Sequence, residues 1–191
     1  MSYLKTSVLA LVAAGLAAPA QASKTPTDEQ LGEFRATIGQ YVQSLQSELR
    51  AAMEAGGPVK AIEVCHTQSP LIADATEEQT GIEIYRTSLK PRATPPQDWQ
   101  ADILQWFETR KDEGADVKQL EWFTVSEQGD EQTLHYMKPI PTAGVCLNCH
   151  GEHIEPQVIS QLNRLYPDDQ ARGYQEGDLR GAFVLQAPLT D

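Results

Sequence analysis

The chain has 191 residues, of which 40% are hydrophobic, and a formal net charge of −12 at pH 7. This length suits one compact domain with a sizeable core. An acidic surface repels nucleic acid and anionic lipid, so the composition argues against a nucleic-acid-binding protein and would suit a basic redox partner protein.

The first residues have the pattern of a secretory signal peptide. A lysine supplies the positive charge, residues 7–18 form an apolar run, and residues 20–22 have the sequence AQA, a small-residue cleavage site. The apolar run is shorter than the roughly 20 residues that a transmembrane helix needs. We therefore predict a signal peptide at residues 1–22, cleaved after Ala22. The mature chain, residues 23–191, is expected to be one periplasmic domain without stable membrane insertion.

Helical patterns dominate the first part of this domain. Residues 27–55 place apolar side chains at steps of three and four, and a Thr-x-x-Gln start fits a capping box. Two glycines and a proline at 56–58 are typical of a helix end. Two shorter helices are predicted at 58–66 and 69–78, the second with a proline in its first turn.

Strand patterns dominate the second part, with helices between them. The predicted strands are 82–89, 120–125, 133–140 and 181–189, and the predicted helices are 98–113 and 156–165. Helices followed by strands with few long connections favour an α+β fold with an antiparallel sheet.

Residues 146–150 have the sequence CLNCH, the Cys-x-x-Cys-His pattern of covalent haem attachment. Cys146 and Cys149 can form thioether bonds to the haem vinyl groups, and His150 is placed to bind the iron. Haem is attached to such proteins outside the cytoplasm, which agrees with the predicted export. We therefore predict one covalently bound haem c with His150 as the proximal iron ligand.

Two other uses of these thiols compete with haem. Structural zinc sites usually combine two tight ligand turns, and a second Cys-x-x-Cys is missing from the sequence. Thiol–disulfide oxidoreductases carry their Cys-x-x-Cys after the first strand of a βαβ unit, and this region lacks that pattern. Both are weaker interpretations than haem.

The second axial ligand is less certain from the sequence. Cys65 is the third cysteine and has no disulfide partner once the other two bind haem. A thiolate is a strong donor to ferric iron, so coordination would explain the unpaired thiol. Helical spacing does not separate Cys65 from His66, and chemistry favours Cys65 only slightly. The remaining candidates have ordinary roles in the core or at the surface: Met53, His135, Met137 and His153.

Several segments resemble a family of PAS-like c-type haem proteins that is catalogued as a domain of unknown function. They are AIEVCH at 61–66, IYRTSLKPR at 84–92, CLNCHG at 146–151 and GDLRGA at 177–182. The resemblance implies a PAS-like antiparallel sheet with added N-terminal helices and one haem with His/Cys ligation. Carried over to this sequence, it implies His150 as the proximal ligand and Cys65 as the distal one.

Arg86, Lys90 and Arg92 lie in one of these segments. Haem propionates are anionic, and guanidinium groups pair well with carboxylates. We hypothesise that at least one of the three side chains contacts a propionate. The alternative is a solvated strand edge.

Two protein ligands would leave no open position on the iron, which argues against constitutive oxygen binding or peroxidase chemistry. One interpretation is a redox or small-gas sensor, in which NO or CO displaces Cys65 and a separate signalling protein responds. The other is a soluble electron carrier with a redox partner protein. Reduction of peroxide or of a nitrogen oxide is a weaker third interpretation, so we do not expect an enzyme.

Overall fold

The computed structural model describes residues 25–189, so the predicted signal peptide and its cleavage site lie outside the described residues. In chain order the elements are α1 (Asp28–Thr80), β1 (Glu83–Thr87), α2 (Asp98–Asp112), β2 (Trp122–Gln128), β3 (Glu131–Pro141), a 3₁₀ turn (Gly144–Cys146), α3 (Leu147–His150), α4 (Pro156–Leu165) and β4 (Leu179–Pro188). Within the described range, every helix is too short or too polar to cross a membrane.

The four strands form one antiparallel sheet in the order β1-β4-β3-β2. The last strand of the chain therefore lies in the interior of the sheet, between β1 and β3, while β1 and β2 form the two edges. This arrangement confirms the predicted α+β fold with an antiparallel sheet and N-terminal helices.

Helix α1 consists of two arms that meet at Gly56 and Gly57, whose backbone angles are not helical. Gly57 has a φ of 66°, a conformation that glycine adopts without steric cost. We call residues 28–55 the first arm and residues 58–80 the second arm. The first arm begins at the predicted capping box, in which Thr27 and Gln30 bond reciprocally.

The second arm is one continuous helix, so the prediction of separate helices at 58–66 and 69–78 was wrong. Pro70 lies inside it and cannot donate the helical hydrogen bond, which normally favours a break. Contacts with the first arm and with β1 hold the helix in place at this point. The Ser69 hydroxyl lies 2.9 Å from the hydroxyl of Tyr41 in the first arm and accepts a bond of 2.8 Å from Arg86 of β1.

The two faces of the sheet carry separate cores. The first arm of α1 covers one face, where the rings of Phe34 and Tyr136 lie 5.8 Å apart between centroids. Helix α2 covers the other face through the fully buried Phe107 and its neighbours. Adjacent residues of β4 divide between the cores, Val184 towards α2 and Leu185 towards α1, as strand alternation requires.

A third cluster joins α4 to the second arm of α1. Val158 and Leu162 of α4 pack against Ile62, and the half-buried Cys149 lies against the same cluster. The packing therefore holds the Cys-x-x-Cys-His segment close to the part of α1 that carries Cys65.

Gly181 marks a close approach between β4 and the end of β1. Its φ is 153°, and a Cβ atom at this position would collide with the carbonyl oxygen of Thr87 and lie 3.0 Å from the Cβ of Ser88. Both the backbone conformation and the available space therefore require glycine.

Gly181→Ala is expected to lower the free energy of unfolding by about 2–3 kcal/mol, because β1 and β4 must separate to admit the methyl group. Gly39→Ala is the matched control. Gly39 is exposed in the first arm of α1 with nothing near its Cβ position, so alanine there should add about 0.5–1 kcal/mol. Urea denaturation measures both, and equal effects would contradict the assignment.

One charged group ties the first arm of α1 to the sheet. The Glu121 carboxylate accepts bonds from Arg35 Nε at 2.9 Å and Nη2 at 2.5 Å, and a third from the Tyr136 hydroxyl at 2.7 Å. Chiefly through the bond from Arg35, these contacts hold the pKa of Glu121 at about 2, below its ordinary value of 4.5.

Because the pKa of Glu121 is lowered by folding, its contribution to stability is present above about pH 4.5 and is lost as the pH falls towards 2. Glu121→Gln should therefore lower the free energy of unfolding by about 1 kcal/mol at pH 7, and by less at pH 3. Glu113→Gln, which removes an exposed partner of Arg110, should change little at either pH. Denaturant titrations at both pH values test this, and a constant difference would contradict it.

Candidate functional site

A cavity of about 760 Å³ opens beside the edge strand β1. The second arm of α1 forms one wall with Cys65, His66, Ser69 and further residues up to Glu77. β1 and the loop after it form a second wall. Side chains from the first arm of α1, α2, α3 and β4, together with Tyr166, complete the lining. Cofactor sites in proteins usually measure about 300–1,000 Å³, so this cavity has the size of a cofactor site.

The Cys-x-x-Cys-His segment forms a tight turn at the edge of this cavity. Cys146 ends the 3₁₀ turn, and Cys149 and His150 follow in α3. Residues three positions apart lie on the same side of a helical turn, so the two thiols can face one partner. Both are free and half-buried.

The imidazole of His150 is held in one orientation. Its Nδ1 lies 2.8 Å from the carbonyl oxygen of Ala171, and as the donor it carries the proton and leaves the lone pair on Nε2. Burial, together with the charges of Arg180 and Arg92, lowers the pKa of His150 to about 2, so the ring is neutral. A neutral ring with its Nδ1–H bonded to a carbonyl is the usual state of a metal-binding histidine.

Cys65 and His66 both lie in the cavity wall. Cys65 is half-buried, and its burial raises the pKa of its thiol, while Arg86, Arg92 and Arg180 act in the opposite direction. His66 is exposed, and its ring meets that of Tyr166 edge-on with 5.1 Å between centroids.

The other sequence candidates for a second ligand lie elsewhere. His135 is on β3 with its Nε2 2.8 Å from the Ser126 hydroxyl, and Met137 is buried in the α2-side core. His153 is exposed, and Met53 belongs to the first arm of α1. Within residues 25–189, none of these four side chains lines the cavity.

The three basic side chains predicted from the sequence differ in position. Arg86 lines the cavity and donates to Ser69. Arg92 also lines it but is paired with Asp169, Nε to Oδ1, at 2.9 Å. Lys90 is not part of the lining, and its Nζ lies over the ring of Tyr174, 4.9 Å from the centroid.

Arg180 is a cavity residue that the sequence reasoning missed. Among the described residues its guanidinium has no hydrogen bond or ion pair, although it lines the cavity beside other cations. Burial and the charges of Arg86 and Arg92 lower the pKa of Arg180 to about 10. The sequence signal that could have identified Arg180 is its position in the GDLRGA segment, where a basic residue lies in an otherwise apolar strand.

These features of the cavity fit a haem better than a bare metal ion. The cavity combines a neutral histidine, a nearby thiol at Cys65, and a guanidinium at Arg180 that can receive a carboxylate. Two further thiols stand at the attachment spacing beside the histidine. In the described part of the chain, no group of three or more His, Cys, Asp and Glu side chains is arranged to hold an ion directly, so zinc finds no support.

The comparisons with known proteins agree with this fold. The sequence model of the family described as Tll0287-like matches residues 19–188. The crystal structure of the cyanobacterial heme-protein Tll0287 matches with a TM-score of 0.64 and 22% identity over 87% of this chain and 99% of that chain, which shows a shared fold. No curated protein sequence matches the chain. Because the family model spans nearly the whole chain, and confirms the family expected from the resemblance, the protein belongs to the Tll0287-like family.

Proposed function

We propose that this protein binds one haem c, attached through thioether bonds to Cys146 and Cys149. The observation that carries the proposal is the state of His150, which directly follows the second thiol, lines the cavity and keeps its Nε2 unprotonated, with only a long 3.4 Å contact to Arg92 Nη1. The similar solved structure is described as that of a heme-protein, which supports haem as the occupant. When bound, the haem supplies an iron that changes between the ferric and ferrous states.

Cys65 is the proposed second ligand, with His66 as the alternative. Cys65 is more buried than His66, and it interacts electrostatically with Cys149, so it lies close to the attachment segment. His66 is exposed and its ring contacts Tyr166. Burial near cationic side chains suits a thiolate bound to iron, because coordination removes its proton and the cations balance its charge.

Arg86 and Arg180 are the proposed partners of the haem propionates. Both line the cavity, and neither has a carboxylate partner among the described residues. Arg92 is less suited to this role because Asp169 already neutralises it, and Lys90 is less suited because it lies outside the cavity lining.

The proposed physiological role is a sensor of redox state, or of NO or CO, in the periplasm. Cys65 would be the ligand that the protein can release, and a separate signalling protein would respond. This role is supported by the position of Cys65 on a helical arm bounded by the Gly56–Gly57 break and by Gly81, whose φ is also positive. Backbone angles can change at such boundaries when one arm of a helix moves.

An electron carrier is the second candidate function. The observation that favours it is the hydrogen bond from His150 Nδ1 to the carbonyl of Ala171. A ligand fixed by a backbone carbonyl keeps its geometry when the iron changes oxidation state. In this case both protein ligands stay bound in both states, and the partner is a redox protein.

The protein made in cells with working cytochrome maturation should carry one haem that survives denaturation, because thioether bonds are covalent. Mass spectrometry should show the mature chain plus one haem. Replacing both Cys146 and Cys149 with alanine should give the bare mass, whereas Cys65→Ala should keep the covalent haem. A colourless wild-type protein at the mass of the bare chain would contradict the proposal.

Cys65→Ala should change the ferric absorption spectrum and raise the reduction potential, because a thiolate donates charge to Fe(III). His66→Ala is the control and should leave both unchanged. A wild-type spectrum for Cys65→Ala, with a changed spectrum for His66→Ala, would move the ligand assignment to His66.

Spectra of the wild-type protein distinguish a sensor from an electron carrier. In a sensor, reduction or added CO should change the wild-type spectrum in the way expected for loss of Cys65. If the wild-type protein keeps both ligands in each oxidation state and binds no CO, the proposed role becomes that of an electron carrier.

A further inference from the structure

We propose that Asp169 is a positioning residue for His150, holding the loop whose carbonyl group accepts the Nδ1 proton of the imidazole. The inference rests on the proposed function, since it concerns how strongly His150 binds the haem iron. Asp169 lies outside the cavity lining and would act on the ring through the loop, through Arg92 and through its own negative charge.

The carboxylate of Asp169 is completely buried, and both of its oxygens accept hydrogen bonds. Oδ1 accepts bonds from Arg92 Nε at 2.9 Å and from the Ala171 amide at 3.0 Å. Oδ2 accepts bonds from Arg172 Nε at 2.8 Å and from Arg92 Nη2 at 3.3 Å. The side chain has no exposed surface. Burial raises the pKa of Asp169, but the bonds from Arg92 and Arg172 outweigh it and the net pKa is lowered, so the group is charged.

The loop that Asp169 holds makes the contact to the imidazole. Ala171 is fully buried, its amide is bonded to Asp169, and its carbonyl lies 2.8 Å from His150 Nδ1. Two further backbone bonds join the same loop to the histidine segment, from Tyr174 to the His150 carbonyl and from Gly173 to the Gly151 carbonyl, both 3.0 Å long. The orientation of the ring therefore depends on the shape of this loop.

A second branch runs from Asp169 through Arg92. Arg92 Nη2 donates to the Cys149 carbonyl at 2.8 Å, while Nη1 lies 3.4 Å from His150 Nε2. Asp169 fixes and neutralises this guanidinium beside the iron-binding nitrogen. Loss of the carboxylate charge would loosen the carbonyl contact and leave a less compensated cation beside the ring. Both changes make the imidazole a weaker donor to iron.

The test compares Asp169→Asn with Asp168→Asn in the haem-loaded protein. Asp168 is the exposed neighbour, so its replacement removes the same charge without touching the loop. For Asp169→Asn we expect a higher reduction potential and changed ferric electron paramagnetic resonance g values. The acid midpoint for loss of the His150 ligand should rise by about one to two pH units, the equivalent of a 10- to 100-fold weaker bond. Asp168→Asn should match the wild type.

Arg172→Gln keeps the inference testable if Asp169→Asn fails to fold or to take up haem. It removes one of the two arginines that hold Asp169 in place, and should shift the g values and the acid midpoint in the same direction, by less. The reduction potential is left out for this variant because the removal of a cation acts on it in the opposite direction. Arg164→Gln, on an exposed arginine of α4, is its control. Equal shifts for Asp169→Asn and Asp168→Asn would overturn the inference. So would wild-type readouts for Asp169→Asn, or for Arg172→Gln if Asp169→Asn does not fold or take up haem. In those cases the wild-type protein still carries haem; a colourless wild type would instead overturn the proposed function.

Discussion

The hydrogen bond from His150 Nδ1 to the carbonyl of Ala171 is the contact on which the rest of the site depends. It fixes the tautomer of the ring and leaves Nε2 unprotonated. Binding of iron at Nε2 would also need a neutral histidine, and burial beside Arg180 and Arg92 keeps the pKa of the ring well below neutrality. The 2.8 Å contact joins residues 21 positions apart, so the loop after α4 has to be in place before the ring is oriented.

The fold brings the two proposed iron ligands to one cavity from distant parts of the chain. Cys65 is carried by the second arm of α1, and His150 by the short helix α3. α4 packs against the second arm and contacts Cys149, so one apolar cluster sets the position of both segments. The cavity lies beside β1 because β1 is an edge strand, with its outer side available to α1 and the following loop.

Three arginines meet in the cavity of a chain whose net charge is −12. Arg86, Arg92 and Arg180 line it, and three carboxylates line it as well: Asp74, Glu77 and Glu83. Asp169 neutralises Arg92, whereas Arg86 and Arg180 have no carboxylate partner in the described part of the chain. Arginines without a carboxylate partner in a cavity wall favour an anionic occupant, and the propionates of haem would meet that condition. A cofactor with carboxylates would therefore relieve the mutual repulsion of the three guanidinium groups.

Local patterns in the sequence determined most of the elements, the fold class and the Cys-x-x-Cys-His segment, because capping residues, apolar periodicity and motif spacing act over a few residues. They predicted two helices around Pro70, where contacts of Ser69 with Tyr41 and Arg86 maintain one. The roles of Asp169 and Arg180 could not be read from the sequence, since a buried carboxylate looks the same as its exposed neighbour Asp168 until burial and partners are known. The tertiary structure also decided that Arg86 lines the cavity whereas Lys90 lies over the ring of Tyr174. Spacing along a chain specifies local geometry, whereas charge balance and ligand orientation arise only where distant segments meet.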